Sequence, residues 1–327
     1  EFFRDGTFAD FNNNVKFKGD IKSADVSLND LRKFYGEFGH NNVLHFKTKL
    51  EGTLNNFKTK GFQLESDLRT IIIGDFHVKN AFETENGFSI DANLNNLVSE
   101  YANLKNLLPN ILSKSMPTMV EDLGRFAISG DSYITNSEID LDIEMETDLG
   151  GIITDLSLSN IDNIDNATYK GHVKIVDFDL GKAAKDSLIG RISLDADIDG
   201  YGFTVENINT TVVGEIYQHQ YKGYTYNNID VNGRFQNKKF EGELIVSDEH
   251  LQLNFNGLAD LSQEIYKFDS RTTVGHADFN QLNLFTRDSI AILKGEEFCT
   301  YFNSPYLNFQ ILDDPVIRKI YCKTCSI

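Results

Sequence analysis

Apolar and polar residues alternate along most of this chain with a period of two, the mark of strands with one dry and one wet face. Leu44, Phe46, Leu50 and Leu54 share one parity, as do Ile139, Leu141, Ile143 and Met145. Ile192, Leu194, Ala196 and Ile198 form another row, and Leu251, Leu253 and Phe255 a further one. Asp, Glu, Lys, Asn and Thr fill the opposite parity. Turn-forming residues separate the runs, at Asn55-Asn56, Glu85-Asn86-Gly87, Gln236-Asn237-Lys238 and Asp248-Glu249. The pattern predicts antiparallel meanders that are apolar on one side.

Glycine interrupts the apolar parity in a loose repeat, apolar-x-apolar-x-Gly-x-apolar, of irregular spacing. It runs Val15, Phe17, Gly19, Ile21; then Ile229, Val231, Gly233, Phe235; then Leu253, Phe255, Gly257, Ala259. Looser copies surround Gly52, Gly130, Gly200 and Gly214. Glycine packs nothing and weakens a strand interior, so its recurrence there predicts bends toward the apolar side and a trough-shaped sheet. Gly19, Gly52, Gly200, Gly214, Gly233 and Gly257 would open that trough. Its expected lining is Val15, Phe17, Ile21, Leu44, Phe46 and Leu50, then Ile139, Leu141 and Ile143. Ile192, Leu194, Ile198, Val212 and Ile216 continue it, followed by Ile229, Val231, Phe235, Leu251, Leu253 and Phe255. The pattern fits equally a closed β-sandwich, an adhesin-like binding module in which these residues are ordinary core.

One segment departs from period two. Leu94, Leu97, Val98, Tyr101, Leu104, Leu108 and Ile111 recur at helical spacing, with Pro109 as a kink or stop. A second short helix is expected with Ser115 as N-cap, Pro117 in its first turn and Gly124 past its end. The helical insertion spans about 94–123 and would cover a stretch of sheet. A further turn or two is expected around 182–188.

Composition supports long strands: 25 Phe and 13 Tyr stand against 4 Pro in 327 residues, with no Trp. The net charge of −18, without a basic stripe, argues against a nucleic-acid partner. No run of 18 apolar residues occurs. The chain opens at Glu1-Phe2-Phe3-Arg4 with neither Met nor a leader-like stretch, which reads as an internal fragment of a longer protein. Cys299, Cys322 and Cys325 all fall near the end, as do Pro305 and Pro315. A lone CxxC does not make a zinc site. Residues 1–297 therefore read as one continuous repeating section and 298–327 as an atypical tail.

Candidate chemistry is sparse. Asp195, Asp197, Asp199, Gly200 and Glu206 satisfy the EF-hand loop expression. The acids alternate with Leu194, Ala196 and Ile198 in a strand pattern, however, and no helix follows, so the match is read as chance and no metal is expected. His40, His45, His77, His172, His219, His250 and His276 are dispersed, without HExxH or a nucleophile elbow. No P-loop or dinucleotide fingerprint occurs, and no cofactor is expected. A non-enzymatic role follows.

The run from Leu188 through Gly190, Ile192, Leu194 and Gly200 to Phe203 resembles the translocation and assembly module (TamB) family in its Bacteroidetes-type form. So do Tyr221-Lys-Gly223-Tyr224-Thr-Tyr226, Phe240-Glu-Gly242-Glu-Leu244, Ser247-Asp248, Leu251 to Gly257, and the stretch 103–130. The likeness covers roughly residues 10–295 and not the tail. Membership of the AsmA-like, repeating-β-groove superfamily would imply a long, open, taco-like antiparallel sheet with an apolar interior. It would also imply a periplasmic lipid conduit that shields phospholipid acyl chains between inner and outer membranes and supports outer-membrane protein assembly. An inner-membrane helical anchor and a terminal domain meeting a BamA-like barrel would both lie outside this chain.

Overall fold

The computed structural model describes residues 8–33, 36, 38–81, 87–107, 122–161, 166–203, 207–263, 266–284, 292–293 and 298–304. The fold is mainly β, and the chain divides into two compact units, Glu1–Tyr169 and Lys170–Ile327.

In the first unit, a short helix α1 (Phe8–Asn14) leads into β1 (Phe17–Ser27), β2 (Val43–Gly52), β3 (Asn56–Ser66) and β4 (Ile71–Lys79). The strands β5 (Ser89–Glu100), β6 (Arg125–Thr135), β7 (Glu138–Thr147) and β8 (Gly151–Ser159) follow. Each pairs antiparallel with the next in sequence. Helix α2 (Leu28–Leu31) follows β1, and α3 (Tyr101–Leu107) follows β5.

The second unit has the same plan. It contains β9 (Thr168–Asp179), helix α4 (Leu180–Ala184), β10 (Ile189–Tyr201), β11 (Asn209–Tyr221), β12 (Tyr224–Gln236), β13 (Lys239–Ser247), β14 (Leu251–Asp260) and β15 (Tyr266–Asp278). Two further strands, β16 (Ile292–Leu293) and β17 (Phe298–Ser304), pair with β15. Two-residue turns with positive φ at Lys222 and Gly223, and at Asn237 and Lys238, join β11 to β12 and β12 to β13. Both central residues with φ > 0 define the hairpin turn that matches strand twist.

The registers align apolar side chains into rows that cross the strands. In the first unit Ala24, Phe46, Leu64, Ile72, Leu97, Ile128, Met145 and Ile152 stand opposite one another in turn. In the second, Leu194, Ile216, Ile229, Val246, Leu253 and Val274 do the same. Because side chains alternate faces, such rows put the apolar parity on a single face of each sheet. Neither run of strands closes into a barrel, and the strands of each unit belong to one sheet. The single sheet of each unit agrees with an open, curved architecture.

Two kinds of irregularity bend these sheets. In the first unit the register shifts between Ile21 and Ala24, Thr59 and Phe62, and Leu94 and Leu97, so bulges recur at one level of β1, β3 and β5. In the second unit, which has register shifts of its own, glycines also fall into register: Gly233 faces Gly242, which faces Gly257, which faces Ser270. Gly242 and Gly257 have φ of +153° and +146°, which side chains rarely adopt. A Cβ on Gly257 would stand 2.5 Å from the Cα of Ser270. Steric closeness to the neighbouring strand therefore favours glycine at these positions. Gly19 differs, since nothing lies within 4 Å of a Cβ there.

The bulge at Leu94/Leu97 also accounts for a misreading. One extra residue converts strand spacing into i, i+3, which imitates a helix, yet 89–100 is strand. Helix begins only at Tyr101, and Leu104 and Leu107 of α3 pack with Leu28 and Leu31 of α2 against Leu44 and Leu64. The expected Pro109, Ser115 and Pro117 lie outside the described residues. The turn expected around 182–188 is α4, somewhat earlier than its pattern suggests. Of the atypical tail, Phe298–Ser304 is strand, while Cys322, Cys325, Pro305 and Pro315 lie outside the described residues.

Candidate functional site: the apolar faces

All the expected lining residues within strands lie on the apolar parity, and most are only half-buried. Leu44, Ile143, Ile192, Ile229, Val231 and Phe255 are buried, and Phe235 is exposed. The remainder, from Val15 and Phe17 to Leu251 and Leu253, are intermediate. Leu44 owes its burial in part to α2 and α3, and Ile229 to Leu282. Half-buried side chains leave apolar area in contact with solvent, and contiguous apolar area of that kind marks an interaction surface.

Packing closes each face at one strand end. In the second unit Leu282 is fully buried and packs with Tyr226, Ile229 and Val246, while Phe279 adjoins Val274 and Ala277. The Tyr226 hydroxyl donates to the Leu282 carbonyl at 3.4 Å, and burial pushes the Tyr226 phenol up to about 12. Beside it, the buried Asp248 accepts from the Tyr224 hydroxyl, from the Asn227 backbone N–H at 3.0 Å and from the His250 backbone N–H at 2.9 Å. Burial works against its ionised form, but these donors outweigh burial and hold the carboxyl below its usual range.

The lining set read from sequence was incomplete. Phe62 and Leu64 of β3, Phe76 and Val78 of β4, and Leu244 and Val246 of β13 fill the same rows. Their alternation is visible in the sequence, with Gly74 and Gly242 on the same parity. His219 was also missed as an apolar-face residue. It stands opposite Ile192 and Tyr226, beyond a register shift at Ser193/Leu194 that flips the parity. Its Nδ1 is buried without a partner among the described residues, and burial lowers its pKa.

On the polar faces, the acids that match an EF-hand belong to β10 and face Lys170 and His172 on β9. Asp199 pairs with Lys170 at 2.9 Å, Asp197 with Nδ1 of His172 at 3.0 Å, and Asp195 with Nε2 of His172 at 3.0 Å. Strand geometry spreads them along one face rather than around an ion. Glu206 lies outside the described residues. No group of His, Cys, Asp and Glu suited to a metal occurs among the described residues. His45 repeats the clamp, with Nδ1 2.8 Å from Asp25 and Nε2 3.2 Å from Asp67, which raises its pKa, Asp25 contributing most. Two hollows also open on the polar side, one over β1 to β5 and one over β10 to β13. No described helix is long and apolar enough to cross a membrane.

Comparison with family models, with curated proteins and with solved structures finds no match.

Proposed function

We propose that the chain is a section of a non-enzymatic lipid conduit, shielding phospholipid acyl chains on its apolar faces. The carrying observation is the continuity of those faces: among the described residues apolar rows pass from strand to strand, packed over at one strand end by α2 and α3 or by Phe279 and Leu282, while most of their side chains remain half-buried. Six strands at ~4.8 Å spacing make a row about 24 Å long in the second unit alone. Transfer of one methylene from water to such a surface gains about 0.8 kcal/mol, so a sixteen-carbon chain gains on the order of 10 kcal/mol.

The resemblance to the TamB-type, AsmA-like proteins supports placing the section in the periplasm between two membranes. On that reading an inner-membrane anchor and a BamA-like barrel partner belong to other parts of the protein, and outer-membrane protein assembly is the wider process served.

Photo-crosslinking probes at Leu194, Val212 and Leu253, in cells labelled with radioactive phosphate, test this. Lipid adducts at these positions and not at Asp195 or Asn232 are expected. Adducts on the polar parity alone, or none anywhere, would overturn it.

A further inference from the structure

The hollow over β1 to β5 measures about 1120 Å³ and lies on the polar face of the first unit. Within it, Lys49 of β2 stands directly opposite Lys60 of β3. Facing positions hold Cβ atoms about 5 Å apart, and like charges placed there destabilise a sheet. Lys58 is on the same face, two residues before Lys60.

Three of the four acids that line the hollow have partners, and Lys22, with a smaller share from Lys49, holds the Asp20 carboxyl below its usual range. Asp20 accepts from Lys22 at 2.7 Å, Glu51 pairs with Lys18 at 3.1 Å, and Asp75 accepts the Gly61 backbone N–H at 2.6 Å. Asp20 also faces Lys49 across the β1–β2 ladder, and Asp91 faces His77. His77 Nε2 bonds Asn56 Oδ1 at 2.9 Å, and burial, then Lys58 and Lys79, lower its pKa, which keeps it a neutral donor. None of Lys49, Lys58 and Lys60 has an ion pair among the described residues. These three lysines share the concavity with Lys18 and with Asp20, Glu51, Asp75 and Asp91.

We infer that this hollow binds a compact oxyanion, the phosphate of a monoester or of inorganic phosphate, among Lys49, Lys58 and Lys60. A bound dianion removes the repulsion between Lys49 and Lys60, and lysine serves phosphate as a mobile point charge. The site faces away from the apolar rows, so it stands independently of the lipid reading.

Lysine-selective NMR on the full chain, at constant ionic strength, reads the site directly. Inorganic phosphate, glycerol 3-phosphate and phosphatidic acid vesicles in phosphatidylcholine form three arms. Saturable shifts confined to Lys49, Lys58 and Lys60 are expected. They should weaken at least tenfold in Lys49→Gln/Lys60→Gln, persist in Lys49→Arg/Lys60→Arg, and be unchanged in Lys16→Gln. Saturation by the soluble phosphates identifies a free ligand, whereas saturation by vesicles alone identifies a headgroup. A uniform drift of all lysines that sodium chloride reproduces would overturn the site.

Discussion

Phe240 of β13 lies diagonally over Gly233 of β12: a Cβ on Gly233 would stand 2.5 Å from Cε2 of the phenylalanine ring. The same ring sits 4.9 Å from Phe235 and 6.1 Å from Phe255, centroid to centroid. Gly233 is therefore a seat for a neighbouring aromatic side chain, a pairing that compensates a glycine in a sheet.

Gly233→Ala should push this ring off its seat and cost about 1–3 kcal/mol, the usual penalty of overpacking. Gly19→Ala meets no atom within 4 Å, so it should be neutral or stabilise by up to about 1 kcal/mol. Urea unfolding of the two variants checks the contrast. Equal losses at both positions would mean that glycine serves the same purpose in each.

The plugs at the strand ends should hold more stability than the open rows. Leu282→Ala removes a fully buried side chain and should cost about 2–5 kcal/mol. Leu50→Ala removes a half-buried one and should cost clearly less. Chemical denaturation measures both, and a larger loss at Leu50 would indicate a covered face.

Two histidines should shift stability with pH in opposite ways. His45 has its pKa raised above 6.5 by Asp25 and Asp67, so its contribution is complete below 6.5 and fades as pH rises through the folded value. His219 has a lowered pKa, so the unfolded chain binds more protons and stability falls as pH drops below 6.5. Among acids, Asp260 is held at about 2, first by the Ser262 hydroxyl, with Lys239 3.0 Å away. Its contribution should be complete above the ordinary 3.8 and vanish as pH falls through about 2. Histidine titration by NMR and acid unfolding of Asp260→Asn and wild type read these directions.

Calcium should leave the melting temperature unchanged, because Asp195, Asp197 and Asp199 already face Lys170 and His172. A saturable upward shift that Asp197→Asn abolishes would restore the EF-hand reading.

Alternation was the legible part of the sequence. Rows such as Ile139, Leu141 and Ile143 lie on the apolar parity of β7 because period two maps directly onto the two faces of a strand. Bulges were not legible. The one extra residue between Leu94 and Leu97 gives a helix-like spacing, and the shift near Ser193 hides His219 among polar positions. Register was equally hidden, since cross-strand neighbours such as Lys49 and Lys60, or Gly242 and Gly257, appear only once hairpins are paired. The purpose of Gly233 lay in Phe240, seven positions away and on another strand.

Pairing of consecutive strands within each unit, as from β10 to β15, makes length a free parameter of this architecture. A hairpin such as β12–β13 could be duplicated or excised in frame without reversing the direction or the oily side of its neighbours. Span could thus be tuned by whole hairpins, as a ladder is lengthened by rungs, with no central core to be redesigned.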